Sequence, residues 1–239
     1  MLQFRDRLIV ALDVPSAAQA RHIVQTLGEQ VTTYKIGKQL FTAEGPGIVR
    51  ELVSSGRKVF LDLKFHDIPN TVGAAVRSAA ELGVSMLTVH ASGGTQMLKA
   101  AVEAASQSAG KPMILAVTVL TSLGDADLQE IGVAGNVLSQ VLRLGALARS
   151  AGCGGLVASA HEARELRGEL GDGFEIVTPG VRPAGAAVGD QARVLTPAAA
   201  IQAGATRLVV GRPITEASNP AQAAREILAE IEGVAALRA

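Results

Sequence analysis

The chain has 239 residues, 48% of them hydrophobic and 18% charged. That suits one large domain or two small ones around a sizeable core, and it excludes a disordered polymer. Lys plus Arg balances Asp plus Glu at 22 each, so the charge argues against a general nucleic-acid or membrane-surface binder while leaving room for a local anion site.

Aromatic residues are only 3%, so the core must be built from Ala, Val, Leu and Ile. The N-terminal "MLQFRDRLIVALD" sets acid and base before a short apolar run and does not read as a signal peptide. No apolar stretch is long enough to span a bilayer. In chain order, the spacing predicts strands over 7–14, 33–37, 58–64, 85–91, 113–120, 155–159, 175–180 and 207–212. They are near-continuous apolar runs, as parallel strands covered on both faces require. Helical patterns alternate with them, as in "NTVGAAVRSAAELG" (70–83) and "QMLKAAVEAASQ" (96–107). "SAHE" (159–162) has the form of a capping box, with Ser159 as N-cap and Glu162 three residues later. "NPAQAAREILAEIEG" (219–233) predicts an Asn cap, Pro at the first helical position and an end at Gly233.

Eight such units in this length imply an α/β fold, a closed (β/α)8 TIM barrel in a single domain over 1–239. An open doubly wound sheet is the alternative. The first turn, "LDVPSAAQA", lacks the Gly-rich fingerprint with which such a sheet binds a dinucleotide. The single cysteine, Cys153, lies between Gly152 and Gly154. It permits no internal disulfide, fits a cytoplasmic location and is expected to be a small buried thiol. The four histidines are scattered and show no metal-ligand spacing.

Side chains two apart share a strand face. In "VFLDLK", Val59, Leu61 and Leu63 would then face the helices, and Phe60, Asp62 and Lys64 the barrel interior. By the same alternation Lys35 points inward if Tyr34 and Ile36 point out, and Asp13 shares the face of Ile9 and Ala11. Barrel enzymes place their sites at the C-terminal strand ends, so Asp13, Lys35, Asp62 and Lys64 should gather at one mouth. For any one of them, a structural ion pair or a solvated strand end explains the charge. For the set, the desolvation cost of several kcal/mol per ion argues for function. His66 reads as a loop residue and His90 as a hydrogen-bonded strand end.

The strand over 175–180 leads into "TPGVRP" (178–183), and that over 207–212 into "GRPITEA" (211–217), which can begin a short helix. The loops after the seventh and eighth strands often bind phosphate in barrels. Gly211 would let the main chain approach an anion, and Arg182 and Arg212 could supply forked donors.

These residues carry a resemblance. "DLKFHDIPNTV" (62–72) contains the Asp-x-Lys-x-x-Asp signature of the orotidine 5′-phosphate decarboxylases. "ALDVPS" (11–16), "YKIG" (34–37), "VLTS" (119–122), "SAHEA" (159–163), "TPGVRPAG" (178–185), "GDQAR" (189–193) and "VVGRPIT" (209–215) extend the likeness through nearly the whole chain. The resemblance implies decarboxylation of orotidine 5′-phosphate to UMP and carbon dioxide, with Lys64 as proton donor and Asp62, Asp67 and Lys35 completing an alternating charged array. It implies a homodimer in which Asp67, Ile68 and Thr71 serve the partner's site. Asp13 and Lys35 would bind ribose hydroxyls, and Thr121 the pyrimidine. Pro179, Arg182, Gln191, Gly211 and Arg212 would line the pyrimidine–phosphate side, with the 182–191 loop folding over the phosphate. No cofactor is implied, since the sequence shows no lysine context for pyridoxal phosphate, no dinucleotide fingerprint and no metal spacing.

Two other functions stay open on sequence grounds. A related sugar-phosphate decarboxylase or synthase would stabilise an enediolate with magnesium. A nucleotide-binding sensor would keep the barrel without the chemistry, and would have no use for an ammonium between acids.

Overall fold

The computed structural model describes residues 4–183 and 195–236. Its strands are β1 (Leu8–Ala11), β2 (Thr33–Gly37), β3 (Lys58–Phe65), β4 (Met86–His90), β5 (Met113–Val117), β6 (Gly155–Val157), β7 (Glu175–Pro179) and β8 (Arg207–Val210). They pair in parallel in sequence order, and β8 returns to β1 to close the barrel. The expected (β/α)8 architecture is therefore the observed one, and the open sheet is excluded. Several strands are shorter than their apolar runs. β5 stops at Val117 although the run continues to Leu120; Thr118 still donates its N–H to the Val157 carbonyl at 3.3 Å before regular pairing ends.

The strands pack into two apolar layers. Leu8, Val10, Tyr34, Ile36, Val59 and Leu61 belong to the core between sheet and helices. Ile9, Ala11, Phe60, Met86, Leu115, Val177 and Val209 fill the barrel itself. Alternation along each strand assigns residues to one layer or the other, and it does so as the sequence pattern predicts for β1, β2 and β3. Gly155 in β6 meets a local steric demand. A Cβ there would lie 2.5 Å from the Glu175 carbonyl oxygen and 2.9 Å from the Leu115 side chain, so a larger residue would force neighbouring strands apart.

The two helix ends read from capping signals in the sequence each depart in part from expectation. Asn219 accepts the Gln222 N–H at 3.1 Å and Pro220 opens the last helix, as expected, but that helix runs to Ala236, past Gly233. A glycine ends a helix only where the chain must turn, and here the turns flanking it hold. At "SAHE" the Glu162 carboxylate accepts the Ser159 N–H at 2.9 Å, one half of a capping box. The Ser159 hydroxyl instead meets the His161 N–H at 3.4 Å, and the helix starts at Ala163. The Cys153 thiol is buried, and burial pushes its pKa up to about 12. It is structural, as expected from its glycine flanks. Among the described residues no helix is long and apolar enough to cross a membrane.

Candidate active site

At the C-terminal mouth of the barrel, β2, β3 and the segment after β1 bring four charges into a line. The Lys35 Nζ lies 2.7 Å from Asp13 Oδ1 and 3.8 Å from Asp62 Oδ2. The Lys64 Nζ lies 2.8 Å from both Asp62 oxygens. The order is Asp13, Lys35, Asp62, Lys64, with signs alternating. The Asp62 and Lys35 side chains are only 13% and 11% exposed, so solvent screens the inner part of this line weakly. Burial by itself would raise the Asp62 carboxyl. The Lys35 and Lys64 charges, with hydrogen bonds from Lys64 and Thr88, outweigh that and hold it below the usual carboxylate range. Gly37 leaves room for the outer pair: a Cβ there would sit 3.0 Å from Lys35 Nζ and 3.1 Å from Asp13 Oδ1.

The strand is irregular where it matters. Leu61 pairs with Leu87 and Phe65 with Val89, so Asp62, Leu63 and Lys64 stand opposite a single residue of β4, Thr88. This is a bulge, and bulges re-aim side chains. Lys64 adopts φ 54°, a left-handed conformation that non-glycine residues seldom occupy.

The charged line forms one wall of a cavity of about 390 Å³, within the range for small-molecule sites. Phe60, Val117, Val157 and Val209 make an apolar floor, and Thr121 and Pro179 border it. Arg182, Gly211 and Arg212, supplied by the ends of β7 and β8, also line the cavity. Gly211 caps a short helix, Arg212–Thr215, as the sequence suggested. Its φ of −108° is open to any residue, and an added Cβ would meet Ala11 at an ordinary 3.5 Å. Arg182 is buried, and its backbone N–H donates to the Leu195 carbonyl at 3.1 Å, which ties together the chain entering and leaving 184–194. Burial and the Arg212 charge push the Arg182 guanidinium below its ordinary value, against the pull of Glu216. The cavity is thus lined by an alternating row of charges and by two further cations.

The model of the orotidine 5′-phosphate decarboxylase / HUMPS family matches residues 6–227. The chain belongs to that family. Orotidine 5′-phosphate decarboxylase of Idiomarina loihiensis is 52% identical over 94% of this chain and 97% of its own length. That of Halorhodospira halophila is 55% identical over 94% and 95%. Among solved structures, orotidine 5′-phosphate decarboxylase from Lactobacillus acidophilus superposes with a TM-score of 0.84 at 40% identity, covering 94% of this chain and 98% of that one. The enzyme from Pyrococcus horikoshii superposes with a TM-score of 0.78 at 26% identity, over 95% and 100%. Of the motifs that carried the resemblance to this family, "DLKFHDIPNTV" at the end of β3, "TPGVRP" at the end of β7 and "GRPIT" at the end of β8 contribute to the cavity lining, and "SAHEA" does not.

Other residues singled out in the sequence lie elsewhere. Asp67, Ile68 and Thr71 are exposed, around the start of the helix Pro69–Ala80, and do not border the cavity of their own chain. The Asp67 carboxylate accepts the Ile68 N–H at 2.6 Å, and Ile68 is 66% exposed. Gln191 and most of the 182–191 loop lie outside the described residues. His90 ends β4, as expected. Its ring lies 5.3 Å from that of His66, so an imidazole is its close neighbour. Sequence reasoning missed Thr215 and Glu216, which border the cavity beside Arg212, and Thr88, which touches Asp62 and Lys64. Thr88 had a signal: it is a polar residue at an inward position between Met86 and His90.

Proposed function

We propose that this protein decarboxylates orotidine 5′-phosphate to UMP and carbon dioxide, the step that completes UMP synthesis, and that Lys64 protonates C6. The observation that carries this is the Lys64 ammonium gripped by both oxygens of Asp62 on the wall of a cavity that Arg182 and Arg212 also line. The names of relatives at 52% and 55% identity favour the pyrimidine nucleotide over the sugar phosphates of the wider family.

In this mechanism the bond from C6 to the carboxylate breaks, carbon dioxide leaves, and its electron pair stays on C6. That carbanion has little resonance relief. A fixed ammonium stabilises it and then delivers its proton to form UMP. Positioning before reaction is what makes the charge effective, since no dipole has to reorganise during bond cleavage. Asp62 fixes the ammonium, and Lys35 supports Asp62 from the other side. The Asp13 and Asp62 carboxylates already hold lysine ammoniums at 2.7 and 2.8 Å, so cationic positions beside them are filled by the chain itself. The proposed reaction calls on no added metal or organic cofactor.

Asp13 and Lys35 bind the ribose hydroxyls, and Thr121 and Pro179 face the pyrimidine. Arg182, Gly211 and Arg212 hold the phosphate, with Gln191 reaching it from the 182–191 loop as that loop folds over. Binding energy gained at the phosphate closes the loop and is expressed at C6. Asp67, Ile68 and Thr71 serve the site of a second copy, making the working unit a homodimer. Their exposure and separation from their own cavity support this assignment. A biosynthetic enzyme of this kind belongs in the cytoplasm.

The test is ultraviolet absorbance of orotidine 5′-phosphate with purified protein and EDTA, run also in heavy water. Loss of substrate with deuterium at C6 of the UMP is expected. Intact substrate, or turnover that EDTA abolishes, would refute the proposal.

A further inference from the structure

We infer that Thr88 is a positioning residue: its hydroxyl ties the bulge in β3 together and so sets where the Lys64 ammonium and the Asp62 carboxylate stand in the cavity. The inference deepens the proposed function and rests on it for its kinetic readout.

Three residues of β3, Asp62 to Lys64, face Thr88 alone, so an ordinary backbone ladder cannot satisfy their polar groups. Thr88 fills that gap with a side chain. Its Oγ1 accepts the Lys64 backbone N–H at 2.9 Å and donates its own proton to Asp62 Oδ1, also at 2.9 Å. One hydroxyl therefore joins the main chain of one active-site residue to the side chain of the other. Thr88 is 0% exposed, so no water competes for either bond.

The direction of these bonds matters. The Lys64 backbone is left-handed, at φ 54°, a conformation that a non-glycine residue keeps only where its surroundings over-determine it. The N–H bond to Thr88 fixes it at that residue. The bond to Asp62 orients the carboxylate whose two oxygens then grip Lys64 Nζ. Thr88 thereby closes a ring: Lys64 amide to Thr88, Thr88 to Asp62, Asp62 to Lys64 ammonium. It borders no part of the cavity itself. A residue that only packed the barrel could be Val, as Val177 and Val209 are.

The test compares Thr88→Val, which keeps shape and removes the hydroxyl, with Thr88→Ser, which keeps the hydroxyl. For Thr88→Val we expect kcat to fall by about tenfold to a hundredfold, the factor associated with losing a hydrogen bond to a charged group. The dissociation constant of UMP should stay within about threefold, because the product makes no use of the aligned ammonium. Thr88→Ser should restore kcat to within about threefold of wild type. If Thr88→Val does not fold, Thr88→Ala against Thr88→Ser makes the same comparison. A hydroxyl-free variant with wild-type kcat, or a Ser variant as slow as Val, overturns the inference. Wild-type protein that leaves orotidine 5′-phosphate intact refutes the proposed function instead. The inference is then decided by a crystal structure of Thr88→Val, in which Lys64 Nζ should move by about 1 Å or more, a shift large enough to matter for catalysis. An unmoved ammonium sinks it.

Discussion

Replacing Lys64 with alanine separates chemistry from binding. In the folded protein the ammonium sits 2.8 Å from both Asp62 oxygens, at a fixed place on the cavity wall. If C6 of the substrate lies about 4 Å away, unit charges at an effective dielectric near 20 interact by about 4 kcal/mol. That alone is roughly a thousandfold in rate. Loss of the general acid removes a further factor of about 10² to 10⁴. Together the variant should lose at least about 10⁴-fold in kcat, the two effects overlapping rather than multiplying in full. The fold should survive. Asp62 keeps Lys35 at 3.8 Å and the Thr88 hydroxyl, so its carboxylate is not left without partners. A stability loss of about 1–3 kcal/mol is expected, since one charged hydrogen-bonded group is removed from a partly buried pair. Single-turnover absorbance with enzyme in excess measures the rate, and calorimetric titration with UMP measures binding, which should change by less than about tenfold. Turnover within tenfold of wild type, in protein that still melts cooperatively, would show that Lys64 is not the proton donor.

Arg212→Ala should lower kcat/KM for orotidine 5′-phosphate by about tenfold or more, as loss of a charged hydrogen bond to phosphate does; unchanged steady-state kinetics would move the phosphate elsewhere. Mixing Lys64→Ala with Asp67→Asn protein under subunit exchange should recover up to about a quarter of wild-type activity, because half the dimers are mixed and each has one intact site. Recovery of nothing beyond the parents would remove Asp67 from the partner's site. Burial first, then the His66, Lys64 and Lys38 charges, lowers the His90 imidazole from its ordinary 6.5, against Asp62. The unfolded chain then binds this proton more readily than the native one, so His90 favours the fold above pH 6.5 and that contribution is lost as pH falls through 6.5 toward its lowered value. His90→Gln should flatten the chemical-denaturation profile over that window, and an unaltered slope would contradict the assignment.

Much of the site was legible before any coordinates. Alternation in "VFLDLK" put Asp62 and Lys64 on the inward face, and the order of strands put Arg182 and Arg212 at the same mouth. These are consequences of strand periodicity, which depends on residues near in sequence, and of the count of eight units, which the order of strands already carries. The bulge was not legible. Alternation assigns Lys64 to the correct side, but the mismatch between Leu61–Phe65 and Leu87–Val89 arises only when two strands pair. Thr88 was missed for the same reason, since its partners lie 24 and 26 residues away. The end expected at Gly233 failed because local propensity is weak against packing of a helix that buries Ile227, Ile231 and Val234.

By itself the sequence determined the eightfold repeat, the two apolar layers of the barrel and the identity of the charges at its mouth, because each follows from short-range patterns of polarity. Tertiary structure decided distances, strain and pairing: which oxygen meets which ammonium, the left-handed turn at Lys64, and the hydroxyl that bridges it to Asp62. Those depend on strand register and on water being excluded, and both are properties of the closed barrel that no single segment possesses.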